Sequence, residues 1–265
     1  YIVGTSIAAN TYVAAISGTS LTLSQAASGS STSTLSFYTP HGVVVGGGNN
    51  QATGAYSFIG GGGDAGTAAN RNVASGDWST VGGGRGNVAS GIGAFVGGGG
   101  LDGGSSTLGS YATGLVSFIG GGLNHAATSS GSSVVSGYQN IANGVMASVL
   151  GGRFGTTRSI VGNFVFPTGN VPIASSSGVS QAALLVLAVQ TTDATATVLR
   201  SDTAAAGSGN QLILPNNSAY YFKGTVVAGK TAAGDAKGWT IEGVIKRGAN
   251  AASTTLVGVP TVTSN

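Results

Sequence analysis

One phrase recurs between residues 42 and 152 and limits the fold more than anything else in the chain. It is a small residue followed by glycine, five residues, a glycine run, then a polar turn. Its clearest copies are Tyr56-Ser57-Phe58-Ile59-Gly60, Trp78-Ser79-Thr80-Val81-Gly82, Gly93-Ala94-Phe95-Val96-Gly97 and Val116-Ser117-Phe118-Ile119-Gly120. Val43-Val44-Val45-Gly46 opens the series, and Ser133 to Gly137 and Ala147 to Gly151 close it with degraded copies. Counted from the first glycine of each run, the copies fall at 46, 60, 82, 97, 120, 137 and 151, in steps of 14, 22, 15, 23, 17 and 14. The base period is therefore about 14, and two copies are lengthened by about eight residues, over Gly63 to Val73 and Gly100 to Tyr111. A fixed period of this kind is the mark of stacked repeats.

Each phrase reads as a short strand. The residue before the glycine run is aliphatic (Val45, Ile59, Val81, Val96, Ile119, Leu150), with Ser136 the exception, and two residues earlier it is small (Ser57, Ser79, Ala94, Ser117, Ser148). Alternate side chains share a face, so this face predicts a narrow interior. The opposite face carries Phe58, Thr80, Phe95, Phe118, Val135 and Val149. A strand with aromatics on its second face must bury that face too, or leave a sticky stripe. Two short strands and two glycine-cornered turns fit one repeat, and stacked repeats satisfy each other's backbone groups. Three such slender coils around one axis would shelter the second face, which predicts a homotrimer.

Composition removes several alternatives. Glycine (49) and proline (5) together make about 20% of the 265 residues, below the low-complexity range, and the aliphatic position is too regular for a linker. With no cysteine, disulfide and Cys-based zinc scaffolds are impossible. The longest apolar run, Ala182 to Val189, is too short to span a bilayer, so no membrane insertion is expected. No basic segment precedes an apolar stretch, so no signal peptide is visible, and an opening Tyr1 suggests a processed form or a fragment. The net charge of +3 sits in the stretch Lys223 to Arg247, a mildly basic patch rather than a phosphate-binding stripe, so no nucleic-acid partner is expected.

The run 74–91, ASGDWSTVGGGRGNVASG, resembles the β-roll repeats of trimeric autotransporter adhesin heads, and similar repeats occur in bacteriophage tail fibres. The likeness covers about 110 residues and departs from the pattern in its Gly-Gly-Gly runs and its two long copies. The segment from Thr11 to Ser24 alternates around Gly18 as a β-hairpin would, and is similar to short modules of phage tail-fibre proteins. No heptads of a coiled-coil stalk appear.

From about Ser175 the pattern changes. Ala182 to Val189 reads as a strand buried on both faces, followed by strands over Thr195 to Arg200, Gln211 to Leu214, Tyr220 to Val227, Gly238 to Lys246 and Thr254 to Val257. Within Gly238 to Lys246, Trp239, Ile241 and Ile245 share one face and Thr240, Glu242, Val244 and Lys246 the other, as in an antiparallel strand with one wet face. The stretch Leu214 to Gly224 together with Gly238 to Gly243 looks like a module near the C-termini of phage tail-fibre proteins.

Catalytic chemistry has little to stand on. A glycosidase needs a carboxylate pair, and the repeats offer only Asp64, Asp77 and Asp102, which turn chemistry explains. His41 and His125 have no metal-ligand neighbour at useful spacing, no Gly-x-Ser-x-Gly elbow occurs, and the glycine runs lack the Lys-Ser/Thr ending of a phosphate loop. Aromatic faces that stack on sugars are better candidates, together with the inserts. Asp64, Arg71, Trp78, Asp102 and Tyr111 are the expected receptor-binding residues.

The sequence therefore predicts an all-β chain: an N-terminal hairpin module (1–41), a trimeric β-roll or β-solenoid shaft (42–174) and a C-terminal antiparallel β-sandwich (175–265). The resemblance implies a non-enzymatic tail-fibre segment of a virion, without catalytic residues, metal or cofactor. Its partners would be two further copies, other tail or fibre proteins, and a bacterial surface glycan or protein. A bacterial trimeric surface adhesin and a polysaccharide-degrading tailspike are the alternatives.

Overall fold

In the computed structural model the glycine phrases link two parallel sheets, and the chain crosses from one sheet to the other at nearly every strand. The structure describes residues 2–8, 11–30, 36–37, 41–64, 66–100, 109–170, 173, 176–232 and 234–264. Among them the regular structure is almost wholly β, with two 3-10 turns, Ala68–Asn70 and Ala251–Ser253, and no α-helix. The chain divides into two units, Tyr1–Gln211 and Leu212–Asn265.

In the first unit the larger sheet takes the phrases themselves: Val43–Val44, Phe58–Ile59, Thr80–Val81, Phe95–Val96, Phe118–Ile119, Ser133–Val134, Ser148–Val149 and Phe164–Pro167, all parallel. Gln181–Leu184 closes its edge in antiparallel register, Val165 facing Ala183. The smaller sheet is built from Gln51–Ala52, Val73–Ala74, Val88–Ala89, Tyr111–Ala112, Ala126–Ala127 and Ile141–Ala142, each just before a small–Gly pair except Ala126–Ala127, which Thr128-Ser129 follows. Between the sheets lies one thin core. Ile59, Val81, Val96, Ile119, Val134, Val149 and Val165 from the larger sheet meet Ala52, Ala74, Ala89, Ala112, Ala127 and Ala142 from the smaller, all buried. A branched aliphatic opposed by alanine fills a narrow space without voids.

The register corrects two expectations. Val134 and Val149 are the buried inward positions of the last two copies, not Ser136 and Leu150, which are exposed; in the first copy Val44, not Val45, is in register with Ile59, although at the end of the stack Val44 is itself exposed. Ser148 likewise faces outward, and Ala147 takes the small buried position. The base period is 15 residues rather than 14, and the two lengthened copies span 22 and 23. The first glycine of a run is a poor ruler because the run begins one residue later or earlier without moving the strand.

The glycines stand where one copy lies against the next. Gly84 has φ +82°, and a Cβ there would meet the Gly99 carbonyl oxygen at 2.0 Å. Gly91, in ordinary backbone conformation, would put a Cβ at 1.9 Å from the Gly114 oxygen. Neither position can carry a side chain without forcing the stack apart.

Inside the glycine corners runs a ladder that closes one end of the core. The Asn72 amide donates to Asn50 Oδ1 (3.1 Å), the Asn87 amide to Asn72 Oδ1 (3.0 Å) and the Ser110 amide to Asn87 Oδ1 (2.9 Å). It continues from His125 N to Ser110 Oγ (3.2 Å), from Asn140 N to His125 Nδ1 (3.1 Å) and from Gly155 N to Asn140 Oδ1 (2.7 Å). The Nδ2 groups of Asn72, Asn87 and Asn140 donate to carbonyls of the glycine corners. These buried amides thus find partners that the sheets do not supply.

The N-terminal hairpin forms as expected, Val13–Ser17 against Ser20–Leu23 around Gly18 at φ +59°. The run 182–189 is not a doubly buried strand. Only Gln181–Leu184 is a strand, at the edge of the larger sheet, with exposed residues along it. Thr195 to Arg200 and Gln211 to Leu214 form no strand beyond the bridge of Arg200 to Ala188.

The second unit is a three-stranded antiparallel sheet, Ser218–Gly229, Ala236–Arg247 and Thr255–Ser264, with the strand of Trp239 in the centre. Tyr220, Phe222 and Val226 pair with Ile245, Gly243 and Trp239 on one face. Lys223 and Glu242 pair on the other, at 3.6 Å. Both faces keep exposed apolar residues, including Tyr221, Val227, Leu256 and Val262.

Candidate functional site

The turn that leads from the smaller sheet to the larger one places a residue at positive φ in copy after copy: Tyr56 (57°), Trp78 (55°), Gly93 (66°), Val116 (46°), Gly131 (63°) and Met146 (52°). Each turn is pinned to the one before, as by Trp78 N to Ala55 O (2.8 Å) and Val116 N to Ile92 O (2.8 Å). Side chains at this position therefore form a column. His41, Tyr56 and Trp78 stack with their rings nearly parallel, at centroid distances of 4.9 and 6.3 Å. Trp78 is 61% exposed and Tyr56 58%. The equivalent place in the next copy is Gly93, so no side chain covers the far side of Trp78 from that turn. A rigid, exposed aromatic column is the surface that sugars and protein partners use.

Asp64 belongs to a second cluster, in the first lengthened copy. Its Oδ1 accepts from the amides of Gly66 (2.9 Å) and Thr67 (3.0 Å), and its Oδ2 from Asn70 Nδ2 (3.0 Å) and Arg85 Nη2 (2.8 Å). The Asn70 hydrogen bond, with those from the backbone and the Arg85 charge, holds the carboxyl below its usual range. Both oxygens serve the insert, which they fold back on the sheet. Arg71 is tied down beside it, its Nε donating to the Ala68 carbonyl. Asp77 accepts the Ala55 amide at 2.9 Å, a turn contact. Tyr111 is a strand residue rather than an insert residue, facing outward between Val88 and Ala126 on the smaller sheet. Asp102 lies outside the described residues. Of the four expected residues that are described, Asp64 and Arg71 share the insert while Trp78 and Tyr111 lie apart from it, and Trp78 gains Tyr56 and His41 as neighbours.

His125 takes a ladder position that asparagine holds elsewhere. Its Nδ1 accepts the Asn140 amide, so the ring proton is on Nε2, towards the carbonyls of Gly137 and Gly121. Burial pushes its pKa down, and the carbonyls only partly offset this. Protonating Nδ1 would also break the ladder. Because the folded pKa lies below the unfolded value of about 6.5, the stabilisation is complete above that pH and is lost as pH falls from there towards the folded value, by at most about 1.4 kcal/mol per unit. Melting temperatures between pH 7.5 and 5.0 should therefore fall in the natural protein and change less in His125→Asn. Parallel profiles for the two would count against this role.

Near the last copies, Tyr138, Arg153 and Phe154 form a third cluster at the glycine-corner turns. The Arg153 guanidinium carbon lies 4.6 Å from the Tyr138 ring centre and 5.2 Å from that of Phe154. The two rings meet edge to face at 5.8 Å. Sequence reasoning missed this group because it sits at regular repeat positions, not in an insert. The pairs Leu123-Asn124, Tyr138-Gln139 and Arg153-Phe154 recur at the 15-residue interval of the ladder and would have marked it.

Searches among protein-family models, characterised proteins and solved structures find no match to this chain.

Proposed function

We propose that the chain is a structural and adhesive segment of a fibre, working as a homotrimer that attaches a virion, as part of a phage tail fibre, to a bacterial surface glycan or protein. Its two alternating parallel sheets would wind as a β-roll shaft. The second unit would complete a C-terminal β-sandwich by packing its sheet against those of its copies. A trimeric adhesin on a bacterial cell is the same reading in a different setting, and neither includes a catalytic step.

One observation carries the proposal. The outer face of the larger sheet carries Val43, Phe58, Phe95, Phe118 and Phe164, broken by Thr80 and by the hydrogen-bonded pair Ser133 and Ser148, with Phe95 and Phe118 stacked at 5.3 Å, and these apolar side chains are left open to solvent in the single chain. A chain with only 6% charged residues gives such a stripe little protection against association. Three copies around one axis would remove these apolar side chains from water. The exposed Trp78 column and the insert held by Asp64 then face outward for contact, and weak contacts multiply along a stiff trimer. The tailspike alternative gains nothing from Asp64 and Asp77, whose oxygens accept structural hydrogen bonds.

Light scattering tests the assembly. The expected mass is three times the 25.4 kDa of the chain, at low and high salt alike, because the contact is apolar. Fluorescently labelled protein should also adhere to cells of a susceptible bacterium. A stable monomer would remove the reason given for the phenylalanine column, and a trimer that adheres to no bacterial surface would leave a fibre without the adhesive role.

A further inference from the structure

We propose that the groove beside Arg153 binds an oxyanion, a carboxylate or phosphate, carried by a surface glycan. The inference deepens the attachment reading by giving the receptor's chemical class. It arises from a different part of the molecule than the Trp78 column.

The groove is open, about 550 Å³, and lined by Gly137, Tyr138, Gly152, Arg153 and Gly169. Three of its five lining residues have no side chain, so its floor is bare backbone, wide enough for a polyhydroxylated ring to lie flat. Its walls are fixed by the stack. Tyr138 N donates to Gly152 O (3.0 Å), Arg153 N to Thr168 O (2.9 Å) and Phe154 N to Tyr138 O (3.0 Å). The Arg153 guanidinium lies against both the Tyr138 and the Phe154 ring, which restricts it before any ligand binds.

Arg153 is also chemically unfinished. A guanidinium has five N–H donors, stays charged at any physiological pH and matches a carboxylate or phosphate with paired hydrogen bonds. Among the described residues its side chain donates no hydrogen bond, and its buried Nε has no partner. The ion pairs seen among those residues are Arg85–Asp64 and Lys223–Glu242, so no carboxylate answers Arg153. No charged residue lies between Asp102 and Arg153 in the chain, and the next one, Arg158, is also a cation. Arg158 is directed to this end of the sheet, its Nη2 donating to Gly178 O (2.6 Å) while Gly178 N donates to Phe154 O (2.6 Å). The local field is positive, no carboxylate among the described residues meets Arg153, the floor suits a sugar ring, and the Tyr138 ring suits its C–H face.

Titration of the full chain with four probes tests this: a glucuronate-containing tetrasaccharide, a glycerol-phosphate oligomer, a neutral tetrasaccharide of equal length and an oligoglutamate peptide. At least one acidic saccharide probe should bind about tenfold or more tightly than the neutral one, and should shift the Arg153 Nε–H resonance in the natural protein. The stronger of the two identifies the source of the oxyanion. Arg153→Gln should lose that preference at unchanged melting temperature, and Arg153→Lys should keep part of it. The resonance shift needs no variant, so a misfolded substitution does not blunt the test. Equal binding of acidic and neutral probes, no binding of either acidic saccharide, oligoglutamate binding as tightly as the saccharides, or natural affinity in Arg153→Gln would each overturn the site. Cell adhesion is measured separately. Saccharide binding without adhesion would overturn the attachment reading and leave the groove standing, whereas full adhesion by Arg153→Gln would overturn the groove's part in it.

Discussion

Asn87→Ala should destabilise the first unit by about 3–5 kcal/mol, enough to move its urea midpoint far from that of the natural protein. The Asn87 side chain is wholly buried, and it serves three backbone groups at once. Its Oδ1 accepts the Ser110 amide at 2.9 Å, and its Nδ2 donates to the carbonyls of Gly83 (2.9 Å) and Gly99 (3.0 Å). Alanine leaves the buried Ser110 amide and the Gly83 carbonyl without a partner and takes one of two hydrogen bonds from the Gly99 carbonyl, which still accepts the Arg85 amide at 2.9 Å; each orphaned buried group costs about 1–3 kcal/mol. The change also breaks the ladder in its middle, between Asn72 and Ser110, at one of the lengthened copies. Asn87→Ser should cost less, because Ser110 shows that a hydroxyl can accept the next amide, from His125 at 3.2 Å. A loss below about 1 kcal/mol for Asn87→Ala would mean that water or backbone movement satisfies the corner, and that the ladder is not what holds the copies in register.

That ladder also shows how far the sequence could be read. The strands of the larger sheet were visible because Ile59, Val81, Val96 and Ile119 repeat the same chemistry at the same place, and the structure buries them all. The smaller sheet was hidden. Its inward residue is alanine in every copy, from Ala52 to Ala142, and alanine carries no hydrophobic pattern strong enough to announce a strand. The ladder was hidden for a different reason: Ser110 and His125 replace asparagine at two of its positions, and only geometry reveals that a hydroxyl oxygen and an imidazole nitrogen can accept the same bond. In the last copies the glycine run slips relative to the strand, so Ser136 and Leu150 take the interior place in the pattern when Val134 and Val149 are the buried residues. After residue 180 apolarity alone misled, since Leu184 is exposed on the edge strand and Val186 is exposed beyond its end.

The candidate site divides along the same line. Trp78 stood out because one bulky aromatic replaced smaller residues at a repeat position, and it proved exposed. Asp64 stood out because charge is scarce, yet its scarcity reflects one structural job, fixing the insert through Gly66, Thr67, Asn70 and Arg85. Arg153 drew no notice in a regular copy, and its interest comes from what surrounds it: two rings, bare glycine backbone and no acid.

The same contrast between inward and outward positions gives the sharpest test of the assembly. Phe95→Glu with Phe118→Glu should leave the sheets intact and abolish the trimer, reducing the mass by light scattering from three times 25.4 kDa to one. Both residues alternate with buried neighbours, Val96 and Ile119, and neither enters the core between the sheets. Glutamate at an outward strand position costs little in a single chain. Around a common axis the balance reverses. Each buried phenylalanine contributes about 1.5–3 kcal/mol per copy, and each pair of glutamates brings unpaired charge from three chains into one apolar channel, at a further cost of several kcal/mol. Phe95→Leu with Phe118→Leu keeps the surface apolar and should keep the trimer. If the proposed fibre reading holds, adhesion to cells should fall about a hundredfold in the glutamate variant, since each chain would then bind alone. A glutamate variant that still runs at the trimer mass would place the contact between copies somewhere other than the phenylalanine column, and a leucine variant that falls apart would show that ring stacking at 5.3 Å, not apolar burial, sets the association.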